Sequence, residues 1–226
     1  MSNSKTEYMP ALDGLRALSI LLVIVAHAGL ERYVPGGLGV VIFFVISGYL
    51  ITGQIIDEVE ANGILSIKTF YLRRFFRLAP ALAAYIALFS ILPLITGQPF
   101  TSLQFLSGVF YFANYYKIFI GYPPLNPFPI LWSLAIEEHF YLFFPFILQF
   151  FRFHLKKLIP WLTGSVVLAL LWRIVLYDLC AQSGNGGMCG VSLDYRLGEA
   201  TDTMFDSVIY GAFGVAPVSW TETGQT

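Results

Sequence analysis

The 226-residue chain is 57% hydrophobic and 12% charged, with a mean hydropathy of +0.70. A soluble domain of this size carries about 25% charged residues, so the composition excludes an ordinary water-soluble globule and points to a polytopic membrane protein. A formal net charge of -1 excludes a nucleic-acid binder that works through a basic excess, and an aromatic share of 17% suits the belts found at lipid interfaces.

Crossing the hydrocarbon core takes about 20 apolar residues as a helix. The polar N-terminus carries Asp13 and Arg16 and has no small-residue cleavage site, so the first apolar stretch, Ala17 to Leu30 extended back to Leu12, is expected to stay as a span and not as a signal peptide. Gly37 to Ile56 has no ionisable residue, and a charged stretch from Asp57 to Arg77 follows. Leu78 to Tyr116 is uncharged and long enough for two crossings, with a break at Gly97–Pro99. Ile130 to Phe151 is apolar apart from Glu137, Glu138 and His139, and Leu158 to Leu176 apart from Arg173. A polar loop, Tyr177 to Thr201, precedes a last apolar stretch, Phe205 to Ala216. The pattern predicts an all-α transmembrane helical bundle of about six or seven spans.

Basic residues favour the cytoplasmic side. The Arg73–Arg77 cluster therefore places the N-terminus in the cytoplasm, and the cluster Arg152, Lys156 and Lys157 belongs on the same side. That parity requires an even number of crossings between the clusters, so Leu103 to Tyr116 is expected to be re-entrant or interfacial. Tyr177 to Thr201 then faces outward, where Cys180 and Cys189 can pair in an oxidising compartment. Two cysteines are too few for a disulfide framework.

Ionisable groups inside a membrane are costly, and each is a functional hypothesis. Arg16 and His27 are eleven residues apart, close to three helical turns, so they share a face with Asp13 near the same stripe, and His27 stands about 16 Å above Arg16 along the axis. Imidazole suits general-base work near neutral pH; the competing reading is a hydrogen bond between packed helices. Arg74 and Arg77 are three residues apart at the mouth of the third span, a spacing that aims two guanidinium forks at a phosphate-bearing ligand. The competing reading is a topology signal. Within Leu131 to Tyr141, Ser133, Glu137 and Tyr141 share one stripe. Glu138 is rotated by about 100° from Glu137, facing a structural ion pair with Arg16 or Arg173. Ser47 and Gly48 permit close helix approach. Asp206 follows a capped helix start at Thr201.

These motifs resemble the acyltransferase-3 family of multi-pass membrane enzymes. The matching pieces are Asp13-Gly14-Leu15-Arg16-Ala17 with His27, the run Phe43 to Ile51, Arg74-x-x-Arg77, and Trp132-Ser133-Leu134 leading to Glu137-Glu138-His139-Phe140-Tyr141, in the family's order. The resemblance implies transfer of an acyl group, acetyl in particular, from cytoplasmic acyl-CoA (acetyl-CoA) to a hydroxyl of a cell-surface or exported glycan, with no metal. It implies His27, Glu137, Glu138, Asp13 and Arg16 as catalytic, with His27 either a general base or a transient acyl carrier. Arg74 and Arg77 would hold the donor, and Trp132, Ser133, Tyr141 and Asp206 would contact substrate. The expected setting is the plasma (inner) membrane, with the lipid bilayer and a glycan or other hydroxyl acceptor as partners and no nucleic acid.

Two departures from the family stand out. The family's Thr-x-Thr-Arg-x-Asp has Met204 in place of the arginine, so a charged contact near Asp206 is expected to be lost. Family members have about ten spans where about seven are counted here, so residues 1–216 read as a partial membrane domain and 217–226 as a polar tail. The sequence therefore also admits an inactive membrane partner, working as a homo-oligomer or beside a chain supplying the missing spans. A transporter that uses the buried charges as a substrate path is the third reading, although no internal repeat supports it.

Overall fold

The computed structural model describes residues 9–97, 100–121, 128 and 130–222, without the side chains of 92, 155, 156 and 216–222. Among the described residues the fold is all-α, with no strand. Five helices are long and apolar enough to cross a membrane, as expected of a multi-pass membrane protein.

Helix α1 (Pro10–Val25) opens with Pro10 in its first turn, where the missing N–H costs no hydrogen bond. It passes into a π-helical turn, Ala26–Leu30, which carries His27. Helix α2 (Gly36–Asn62) ends at Gly63, whose φ of 75° suits a glycine cap. Helix α3 (Ile67–Phe89) starts at Ser66, which accepts the Thr69 N–H, and continues almost directly into α4 (Ile91–Thr96). The expected break falls after α4: Gly97 is left-handed there, while residues 98 and 99 lie outside the described residues.

The stretch expected to be re-entrant or interfacial folds as two short helices, α5 (Ser102–Val109) and α6 (Ala113–Phe119). Eight and seven residues rise only about 12 and 10 Å, well short of a bilayer core of about 30 Å. Helices α7 (Leu131–Phe150) and α8 (Leu155–Ser183) are both long enough to span. A 3₁₀ turn (Gly187–Cys189) and α9 (Leu193–Glu199) lead into α10 (Thr201–Glu222), which contains the last apolar stretch. Of the proposed polar tail, residues 217–222 continue α10 and 223–226 lie outside the described residues, as do residues 1–8 and the side chain of Lys156.

The chain divides into two compact units. The first comprises residues 1–65, 143–167 and 205–226. In it α1 packs on α2 through small residues: a Cβ on Gly39 would meet the Ser19 carbonyl oxygen at 2.5 Å. Helices α2 and α10 approach backbone to backbone, since a Cβ on Gly48 would overlap the Val208 carbonyl oxygen and one on Gly211 that of Val45. Gly48 is thus a packing residue. Phe44, Ile55, Leu148 and Ile209 are buried in this unit.

The second unit comprises residues 66–142 and 168–204. One core cluster joins Ile86, Ala113, Phe128 and Leu131, with Tyr85, Phe89 and Phe100 packed against it. The Cys180–Cys189 disulfide ties the end of α8 to the 3₁₀ turn. Gly190, at φ 68°, lies against the Ile118 carbonyl, where any Cβ would clash, and that carbonyl accepts the Val191 N–H at 2.7 Å.

Candidate functional site

The second unit gathers four of the expected site residues where α3 meets α7. Tyr71, near the start of α3, donates its hydroxyl to the Leu142 carbonyl at 2.7 Å and so fixes the register of the two helices. One turn on, the Arg74 guanidinium lies 3.2 Å from the centroid of the Tyr141 ring and 5.8 Å from that of Phe70. Such stacking holds a guanidinium without using its N–H donors. The Arg74 Nε is buried and has no acceptor among the described residues. Tyr141 donates its hydroxyl to the Glu137 carboxylate one turn before it, as their shared stripe requires.

Glu138 faces a different way from Glu137, in line with the 100° step of a helix. The cations whose fields reach it are Arg74 and, more weakly, Arg77, both on α3. The Arg173 guanidinium, one of the cations expected to face Glu138, donates to the Thr203 carbonyl, with its Nε at 2.5 Å. Glu138 Oε1 is buried without a donor among the described residues. The α3–α7 contact therefore holds a cation and a carboxylate, each with a buried hydrogen-bonding atom unused. Ser133 is not drawn in, since its hydroxyl goes to the Ile130 carbonyl at 3.0 Å. Trp132 is half-buried.

The other expected residues belong to the first unit. Asp13 and His27 are exposed, and Arg16 is half-buried with its guanidinium 5.3 Å from the Phe43 ring centroid. The π turn begins at Ala26, so His27 stands where the regular α register has just ended. Its Nδ1 lies 2.8 Å from the Val23 carbonyl. A carbonyl only accepts, so Nδ1 is the donor in this bond and Nε2 is the nitrogen left to face outward. Asp206 is buried and accepts the Ser207 N–H at 2.8 Å. Met204, which stands in the family's arginine position, has the Arg173 guanidinium 3.9 Å from its sulfur. A cation thus reaches this position from α8.

The second unit also builds a polar corner from α6, α9 and the start of α10 that sequence periodicity does not reveal. Arg196, only 6% exposed, gives both terminal nitrogens to Asp202 at 2.8 and 2.5 Å and its Nε to the Met188 carbonyl at 3.1 Å. Trp172 adds its indole N–H to Asp202 at 2.7 Å. Burial pushes the Asp202 carboxyl up, but the hydrogen bonds from Arg196 and Trp172 and the Arg196 charge outweigh it and hold the group below its ordinary value.

Asn114 donates to Thr201 Oγ1 at 3.0 Å and to the Glu199 carbonyl at 3.3 Å. The Thr201 hydroxyl proton is then free for His139 Nδ1, 2.7 Å away, so His139 serves as an acceptor inside this network. Lys117 pairs with Glu199 Oε1 at 2.6 Å. Burial raises the Glu199 carboxyl above its usual value, against the bond and charge of Lys117. The partners here are separated by up to 87 residues, and the only sequence signals were the helix start at Thr201 and a histidine beside the paired glutamates.

Residues 9–197 match the family described as "Acyltransferase domain". The chain is 38% identical over 186 residues to the peptidoglycan O-acetyltransferase OatA of Listeria monocytogenes, an alignment covering 76% of this chain and 29% of that protein. It is 33% identical over 215 residues to the O-acetyltransferase OatA of Staphylococcus aureus, covering 90% of this chain and 34% of that protein. A putative O-acetyltransferase of Staphylococcus aureus is 38% identical over 161 residues, covering 68% and 27%. The chain thus spans about a third or less of the curated relatives it matches. No solved structure matches it.

Proposed function

Since the chain belongs to the acyltransferase-3 family, we propose that it transfers an acyl group, acetyl in the first instance, from acyl-CoA to a hydroxyl of a cell-surface or exported glycan. Relatives named for O-acetyl transfer, one of them for peptidoglycan, support acetyl as the group and a peptidoglycan sugar as the acceptor to test first. The observation that carries the donor assignment is Arg74. A guanidinium stacked on Tyr141 with a buried Nε lacking any acceptor among the described residues is held ready for an anion. The CoA phosphates supply one. Arg77, one turn on, adds a second charge, and Glu138 keeps Arg74 oriented until the anion arrives.

His27 Nε2 takes the proton from the acceptor hydroxyl. The hydroxyl oxygen forms a bond to the thioester carbonyl carbon, the carbon–sulfur bond breaks, and the departing thiolate takes the proton that His27 removed, giving the free thiol and restoring the neutral imidazole. Asp13 and Arg16, on the same helix, stabilise charge that develops in the reaction. Tyr141 and Trp132 contact substrate from α7. The protein works in the plasma (inner) membrane with its N-terminus in the cytoplasm, and a disulfide between residues 180 and 189 fits a loop on the oxidising side.

The test is acetyl-CoA consumption and O-acetylation of a peptidoglycan disaccharide by the chain in proteoliposomes. Transfer lost in both His27→Ala and Arg74→Ala is the expected result. Near-normal transfer by His27→Ala would remove the imidazole from the mechanism, and near-normal acetyl-CoA affinity in Arg74→Ala would remove the donor site.

A further inference from the structure

The α6–α9 contact holds two oxygens with nothing to accept from. Asn114 is completely buried, and its Oδ1 has no donor among the described residues. Glu199 Oε2, on the oxygen opposite its Lys117 bond, is likewise buried and undonated. The two belong to one locality: Asn114 and Lys117 lie three residues apart on one face of α6, and that face grips Glu199 at its backbone carbonyl and at its carboxylate. Leaving buried acceptors empty is costly, so a donor ligand would be bound by atoms already in place.

The surroundings restrict what that ligand is. An anion would meet two acceptor oxygens. A metal ion or ammonium would meet the Lys117 charge, which lies on Glu199 and 4.2 Å from the Tyr195 ring centroid. A neutral group rich in O–H donors meets neither objection. The Lys117 and Glu199 side chains are each 15% exposed, and Tyr195 is exposed, so the Glu199 end of this locality borders the surface. The Tyr195 ring offers an apolar face of the kind that sugar rings stack on.

We propose that Asn114 Oδ1 and Glu199 Oε2 form a subsite for hydroxyl groups of the acceptor sugar. The assignment rests on the glycan-acylation reading and places the acceptor at α6–α9, apart from the donor residues of α3. Asn114, Glu199 and Tyr195 bind and position the sugar; none of them touches the reacting carbonyl.

The test measures sugar binding separately from turnover. Saturation-transfer NMR with a β-1,4-linked N-acetylglucosamine disaccharide is run on the full chain in phosphatidylglycerol nanodiscs, alongside acetyl-CoA affinity. Glu199→Gln puts a donor amide where an acceptor is needed and should weaken disaccharide binding about tenfold, with acetyl-CoA affinity unchanged. Tyr195→Ala, a surface change that keeps the proposal testable if Glu199→Gln does not fold, should weaken binding in the same direction. Equal disaccharide affinity in the wild type and either folded variant overturns the subsite. So does a wild type that binds no disaccharide, in which case a buried water fills the oxygens. Absence of acetyl-CoA consumption, with disaccharide binding intact and Glu199-dependent, would instead overturn the acyl-transfer reading and leave the sugar site standing.

Discussion

Arg74 and Arg196 sit in the same unit, and both are at least half-buried, yet they are used in opposite ways. Arg196 delivers its fork to Asp202 and its Nε to a carbonyl, and Trp172 completes the carboxylate. Arg74 rests on an aromatic face and keeps a buried Nε unused. A saturated guanidinium holds a corner together; an unsaturated one is, on the proposed reading, the group that takes an anion. The same contrast separates the histidines. His139 is an acceptor within a threonine–asparagine network, whereas His27 is exposed and bonds the Val23 carbonyl of its own helix through Nδ1.

That contrast is open to being broken, and the histidines give the largest effect. His27→Ala should lower acyl transfer roughly 10²–10⁴-fold, the usual share of a general base, while the melting temperature holds because the side chain is exposed. His139→Ala should do the reverse, lowering the melting temperature because the Thr201 hydroxyl, which also holds Asn114, loses its partner. If both variants lost only activity, or both only stability, the division between working and structural groups would fail.

Next comes Arg196→Met, which strands Asp202. Breaking a buried pair costs about 3–5 kcal/mol, and with the Asp202 side chain 37% exposed a loss of about 3 kcal/mol is expected in chemical denaturation. Arg74→Ala should cost little in that assay. It should instead raise the acetyl-CoA dissociation constant about 10–100-fold, the worth of hydrogen bonds to a charged group.

The smallest effect is a pH dependence. Asp202 is held below its ordinary value, so its contribution is present above the unfolded value near 3.8 and is lost as pH falls through the lower folded value. Glu199 is raised, so its contribution is complete below the unfolded value near 4.5 and fades as pH rises through the folded one. Trp172→Phe removes one of the bonds that lower Asp202, and should flatten the acid limb of melting temperature against pH. An unchanged acid limb would mean that Asp202 is not the group being titrated.

Much of the membrane architecture was legible in the sequence because it is one-dimensional. Apolar runs long enough for a bilayer read directly as α1, α2, α3, α7 and α8, and the positive clusters at Arg73–Arg77 and Arg152 required the segment between α4 and α7 to stop short of a full crossing. The Glu137–Tyr141 hydrogen bond is also local, since four residues along a helix bring two side chains together. The π turn at Ala26 was not legible, because the residues 26–30 look like an ordinary continuation of an apolar helix.

Sequence alone determined that this chain is an all-α membrane protein with the motifs of its family, because hydropathy, helical spacing and motif order are properties of neighbouring residues. Only the tertiary structure decided which charged groups are spent and which are free. That Glu138 lies in the fields of Arg74 and Arg77 was not read from the sequence, and Asn114, Lys117 and Glu199 carried no signal until α6 and α9 met. Whether a buried polar atom has a partner depends on residues tens of positions away, and that information exists only once the chain has folded.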